Sequence, residues 1–268
     1  MDKSVRVVSA ADCAESPEFR VRLIHYPKGF SQSIHTHDHA SVTLVLSGTI
    51  EEVRDRTTQF ATPFTLIVKK AGVPHSDRFE PNGCKTLQIS LPEDFDLDDC
   101  EIDSSHVIWH TDGGGWITPL LGLMRCIQQA GKLSPLDISQ SLYEALGALP
   151  STTQITSTPP VWLRRLRALI DESDAMRPLS MATLQKYAAI HPVHITRQFK
   201  RHFGCTVRAY MQYRRVRAAV ALVSEGSLTL TEVAHQCAFA DQPHFCRAFR
   251  AIAGLTARDY RKLIKMAV

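Results

Sequence analysis

Up to about residue 105 the apolar positions fall in short β-branched runs. SVTLVLSG (41–48), FTLIVKKAG (64–72) and KTLQISL (85–91) are bounded by Gly, Pro and Asp, the punctuation of strands. Many such runs with turn signals between them predict an antiparallel sandwich or barrel. From Trp116 the period changes. WITPLLGLMRCIQQAGK (116–132) and PLDISQSLYEALGAL (135–149) place apolar residues at helical spacing on either side of a Gly-containing turn. Their stripes can cover the β domain or pair two copies of the chain, and spacing leaves both open. PSTTQITSTPP (150–160) has no period and reads as a linker. Beyond it the pattern is helical, broken at 172–178, 189–192, 203–205, 224–227 and 239–243, which predicts roughly six or seven short helices. The expected fold class is α+β. Residues 1–115 are expected to form an antiparallel β-sandwich or barrel, 116–149 two packing or dimerisation helices, 150–160 a linker, and 161–268 an all-α domain.

Within the helical part the chain repeats itself. HITRQFKRHFGCTVRAY (194–210) and HFCRAFRAIAGLTARDY (244–260) share seven identities in seventeen positions; chance at one fixed offset gives about one, so a duplicated structural unit is expected. A turn precedes each copy. Pro192 suits the first helical turn, where its missing N–H costs nothing, and Asp241 suits an N-cap. Ile195 with Phe199, and Phe245 with Phe249, are four apart and share an inward face. Arg197 and Arg247 lie off that face. Another short helix is expected before each turn, over 181–189 and 230–238. Helix, tight turn and a second helix with a basic outer face is the helix-turn-helix layout, whose second helix enters the major groove of DNA.

Charge agrees with that layout. Residues 161–268 carry 18 Lys+Arg against 7 Asp+Glu, a net of +11, whereas residues 1–160 carry 13 against 20, a net of −7. A basic half of this size calls for a polyanion partner. No run of eighteen uncharged apolar residues occurs, and MDKSVRVVSAADCAE lacks the apolar core of a signal peptide. Seven scattered cysteines without a CxxC pair predict reduced thiols. A cytoplasmic protein without a membrane partner is expected.

The stretch SLTLTEVAHQCAFADQPHFCRAFRAIAGLTARDYR (227–261) closely resembles the signature segment of the AraC/XylS family of transcription regulators. Residues 181–223 resemble that family's first helix-turn-helix, and RRVRAAVALV (214–223) its connecting helix. The resemblance implies two helix-turn-helix units joined by one long helix, entering adjacent major-groove segments about 34 Å apart on one DNA face. It implies base contacts from Val193, Thr196 and Arg197 in the first unit, and from Gln242, Pro243, His244 and Arg247 in the second. Arg197 and Arg247 suit bidentate contact to guanine, Gln242 suits adenine, and Val193 suits a thymine methyl. Lys200, Arg201, Arg215 and Arg250 are expected at phosphates. A small-molecule effector, a homodimer, contact with RNA polymerase, and activation rather than repression are further implications. Ala189 and Ala238 stand where the family usually has Gly, which costs stability if the backbone there needs a positive φ.

The first half carries candidate metal chemistry. In GFSQSIHTHDHASVTLVLSG (29–48), His35, His37 and His39 alternate, so on a strand all three share one face. His75 is placed to join them from a neighbouring strand. The spacing from Gly29 through His35, His37 and Ser41 to Gly48 resembles the first cupin motif, and Gly72-x2-His75 the second. Members of the AraC family commonly carry such a barrel as a sensor. Ser41 occupies the position of that motif's glutamate. His35, His37 and His75 remain candidate ligands for a divalent transition metal, with His39 as a fourth ligand or a support. A cupin-type metal-dependent enzyme with a helical appendage is the alternative reading. It leaves the duplicated phrase and the basic half unexplained, so a non-enzymatic, ligand-responsive, sequence-specific DNA-binding regulator is expected.

Overall fold

The computed structural model describes residues 8–15, 19–79, 82–93, 95, 108–110, 115–130, 133–149, 158–177 and 179–266. The expected linker falls largely outside them, at 150–157. Two compact units emerge, Met1–Pro150 with Arg250–Val268, and Ser151–Phe249.

In the first unit the β-branched runs form antiparallel sheets, as their alternation predicts. One sheet orders its strands β1 (Val8–Glu15), β2 (Arg20–Tyr26), β9 (Cys84–Ser90), β4 (Ser41–Gly48), β7 (Leu66–Lys69) and β10 (Ile108–His110). The other orders β3 (Phe30–His35), β8 (His75–Phe79), β5 (Ile50–Arg54) and β6 (Thr57–Ala61). Val45, Ile67 and Cys84 from the first sheet meet Ile50, Ala61 and Phe79 from the second in one buried core. Helices α1 (Ile117–Ala130) and α2 (Pro135–Gly147) pack on each other. Their stripes are buried at Ile117, Leu120, Leu121, Met124, Ile138, Leu142 and Leu146. On α2, Leu136 and Tyr143 stay exposed, at 74% and 57%.

The chain end completes this unit through helix α9 (Ala257–Met266). Strand β4 slips register against β9 between Val45 and Ser47. A bulge of this kind disrupts the ladder locally and leaves its extra residue unpaired. The Tyr260 hydroxyl donates to the Leu46 carbonyl at that bulge, and its fully buried ring meets Phe64 edge-on at 5.6 Å. Lys85 Nζ donates to the Ile264 carbonyl at 2.7 Å, placing a cation on the last turn of α9, where the helix dipole is negative. Gly254 is required before α9. Its φ is +73°, and a Cβ there would lie 2.5 Å from the Thr118 side chain.

The second unit holds α3 (Val161–Glu172), α4 (Met181–Ala188), α5 (Pro192–Phe203), α6 (Val207–Glu225), α7 (Leu230–Gln236) and α8 (Gln242–Ala253) through Phe249. With α9, seven helices follow residue 160 among the described residues. Leu163, Leu166 and Ile170 of α3, Leu184 of α4, Ile195 and Phe199 of α5, and Val207 and Tyr210 of α6 make one core. Caps set the boundaries: Ser180 accepts from Thr183 N, Thr206 from Ala209 N, and Thr229 forms a capping box with Glu232. Pro192 opens α5 and Asp241 Oδ1 accepts from His244 N at 2.6 Å, as the sequence implied. None of the described helices is long and apolar enough to cross a membrane.

Three substitutions check these local arguments. Tyr260→Phe leaves the buried Leu46 carbonyl without its donor, and chemical denaturation of the full chain should show a loss of about 1–3 kcal/mol. Ala189 and Ala238 both have φ of 55°, in the left-handed region that disfavours a Cβ. Ala189→Gly or Ala238→Gly should therefore raise stability by up to ~1 kcal/mol, read as a higher unfolding midpoint.

Candidate nucleic-acid interface and metal centre

The repeated phrase can be divided by what each residue does for the fold. Phe199 and Phe249 are fully buried. Gly204 and Gly254 end their helices at φ of 74° and 73°. Thr206 caps α6, and Thr256 Oγ1 accepts from Asp259 N at 3.1 Å in the same way at α9. Tyr210 and Tyr260 are both buried. His194 lies against Trp162 at 5.9 Å, and His244 against Phe239 at 5.4 Å. What remains of the seven identities is Arg197 with Arg247 and Arg208 with Arg258. All four are exposed. Folding gives no reason for a cation at these positions.

Around those arginines the expected contact residues group by helix. On α5, Val193, Arg197, Lys200 and Arg201 are exposed and Thr196 is half-buried. On α8, Pro243, Arg247 and Arg250 are exposed, while Gln242 and His244 are half-buried. Thr231 Oγ1 donates to Gln242 Oε1 at 2.6 Å, tying that amide to α7. Arg215 is half-buried on α6: its Nη1 donates to the Ala238 carbonyl at 3.0 Å and its guanidinium lies 4.8 Å over the Phe239 ring. The Arg208 and Arg258 pair was present in the sequence identities but carried no assigned role; its signal was the duplication itself.

The barrel brings three of its four candidate histidines together. His35 and His75 face each other across β3 and β8, and His37 closes on them from the turn after β3. The strand ends at His35, so the alternation does not continue to His39. A backbone bond from Gly72 N to the His37 carbonyl holds that turn. His39 is exposed and stays outside the group. One ligand atom from each of His35, His37 and His75 falls within 4.8 Å of the others. Glu52, His75 and Asp77 satisfy the same criterion, so His75 belongs to both groups.

The hydrogen bonds decide which nitrogens are available. His35 Nδ1 lies 2.9 Å from Ser33 O and His75 Nδ1 lies 2.9 Å from Val73 O. A carbonyl only accepts, so both Nδ1 atoms carry the proton and both Nε2 atoms present a lone pair. Each Nε2 is buried without a hydrogen-bond partner, as is Asp77 Oδ1. Burial, then the neighbouring His75 and His35, hold the His37 pKa down to about 4, so its ring is neutral at pH 7. Burial also lowers His75 and pushes Asp77 up to about 6. Ser41 lines this cavity, as do Lys69 and Glu52, whose buried ion pair spans 2.7 Å. Three clustered imidazoles, two of them with a buried, unpaired Nε2, fit a divalent transition metal.

Comparison with known proteins locates the helical part. A helix-turn-helix domain family matches residues 184–263. The regulator YpdC of Escherichia coli is 31% identical over 84 residues, which are 31% of this chain and 30% of that one. The probable transcriptional regulator LumQ of Photobacterium leiognathi is 24% identical over 254 residues, covering 94% of this chain and 99% of its own. The solved structure of ToxT from Vibrio cholerae aligns at a TM-score of 0.36 with 10% identity, over 92% of this chain and 98% of that one. The chain thus spans about a third of YpdC and nearly all of LumQ. With two helix-turn-helix units on one connecting helix, the carboxy-terminal part of this chain is a helix-turn-helix domain similar to those of transcriptional regulators.

Proposed function

We propose that the chain is a sequence-specific DNA-binding transcription regulator whose barrel cavity senses a small ligand. One observation carries the reading. After every duplicated residue with a folding role is set aside, exposed arginines remain at matching positions of two helix-turn-helix units. Arg197 and Arg247 read bases, and guanine is the base whose O6 and N7 suit a guanidinium. Val193, Thr196, Gln242, Pro243 and His244 share those surfaces. Lys200, Arg201 and Arg250 meet phosphates and supply salt-dependent affinity. The helix-turn-helix match favours a regulator over an enzyme. A ligand acts by binding the cavity better in one arrangement of the chain than in another. Two copies pairing through the region of Leu136 and Tyr143, activation, and contact with RNA polymerase belong to the same proposal.

A divalent transition metal held by His35, His37 and His75 is part of it. When bound, such an ion supplies a Lewis-acidic centre with open positions for a ligand. His35 and His75 present Nε2, and the Ser33 and Val73 carbonyls fix their tautomers. Lys69 and Glu52 give the adjoining cavity a polar wall suited to a hydrophilic effector.

Gel shifts of the full chain, on DNA it enriches from a random pool, test the DNA reading. Arg247→Ala should cost roughly 1–3 kcal/mol and relax discrimination at one base position. Lys200→Ala should weaken all sequences alike and lower the salt slope by about one. Unchanged sequence preference in Arg247→Ala would remove the second helix from the assignment. Elemental analysis of protein purified without an affinity tag should find about one transition-metal ion per chain, lost in His75→Ala. Metal content indifferent to His35→Ala and His75→Ala would retire the site.

A further inference from the structure

Arg214 and Arg215 are adjacent on α6, so their side chains leave the helix about 100° apart. Arg214 reaches the end of α3. Its Nη1 donates to the Ile170 carbonyl, and its Nη2 donates to Asp171 O at 2.8 Å and Ser173 O at 3.1 Å. Its Nε stands 3.7 Å from Asp171 Oδ1. Those carbonyls belong to the last turn and cap of α3, where unpaired acceptors and the helix dipole both favour a cation. Helix α3 in turn carries Trp162, whose ring lies tilted against His194 of α5 at 5.9 Å. Arg167 of α3 also lies over the Phe203 ring at 4.8 Å.

Arg215 reaches the other reading unit. Its contacts are the carbonyl of Ala238, the left-handed residue of the second turn, and the face of Phe239. Phe239 packs against Phe245 at 5.3 Å and His244 at 5.4 Å, both on α8. Each arginine therefore links α6 to one reading helix through groups with fixed geometry, a set of carbonyls in one case and an aromatic plane in the other. A planar guanidinium holds such geometry better than a flexible ammonium does.

We propose that this pair of arginines fixes the separation and angle of α5 and α8, so that Arg214 and Arg215 determine which spacing of the two DNA segments the chain accepts. Both are positioning residues. The inference rests on the DNA reading above, and the test separates the two. The full chain is used to enrich DNA from a random pool, and the enriched site is then remade with the distance between its two segments changed by two base pairs. The wild-type chain should prefer the original spacing. In Arg214→Ala and in Arg215→Ala that preference should fall by about fivefold or more, the size expected for losing a desolvated cation–π or charge-assisted contact. Arg215→Lys, which keeps the charge but not the plane, should show most of the loss with its thermal midpoint close to wild type.

Equal weakening on both spacings, with the preference ratio unchanged, would overturn the proposal; it is also what a lost phosphate contact or a smaller folded fraction would give. If the wild-type chain enriches no sequence at all, the DNA reading itself fails. If it enriches one and discriminates spacing equally well with and without Arg215, only this inference fails.

Discussion

A reading unit of two short helices and a turn is too small to hold its shape alone, and the second compact unit depends on sharing α6 between two of them. The 19 residues of α6 bury Val207 and Tyr210 in the core shared with α3, α4 and α5 and continue through Val216, Ala219, Val220 and Val223 as they pass to α7. Helix α6 joins the two helix-turn-helix units directly. On the proposed DNA reading, two weak contacts to adjacent groove segments would act together, which is how modest individual readers reach useful affinity. The low amphipathicity of this helix follows from the same role, because it is covered on different faces along its length.

The turns carry the cost of this arrangement. Ala189 and Ala238 sit at a positive φ that glycine would adopt freely. Each turn is stabilised locally instead. His191 and Asp241 cap the helices that follow, and Arg215 takes the Ala238 carbonyl. In the first compact unit the corresponding economy is the bulge of β4. It frees one buried carbonyl in a continuous sheet, and the Tyr260 hydroxyl takes it.

What was legible in the sequence was local or periodic. Strand alternation, helical spacing, caps such as Asp241 and the duplicated phrase all depend on residues a few positions apart. They led directly to the antiparallel sheets, the run of six or seven short helices after residue 160 and the exposure of Arg197 and Arg247. Long-range geometry was hidden. Tyr210 and Tyr260 are identical in the repeat, yet one donates to Asp171 Oδ1 of α3 and the other to the Leu46 carbonyl of β4. Arg215 has the helical phase of a surface residue, and only the folded turn at Ala238 covers it. The histidine alternation does not run along one strand, although His35, His37 and His75 do come together. Strand β3 stops at His35, so His37 arrives through a turn and His39 is left in solvent.

The most direct test is hydroxyl-radical footprinting of the full chain on a DNA that it enriches. Two reading helices fixed on one shared helix predict two protected patches on one face of the duplex, about 10–10.5 base pairs apart from centre to centre. A single protected patch, or protection that is the same on every DNA offered, would contradict the account.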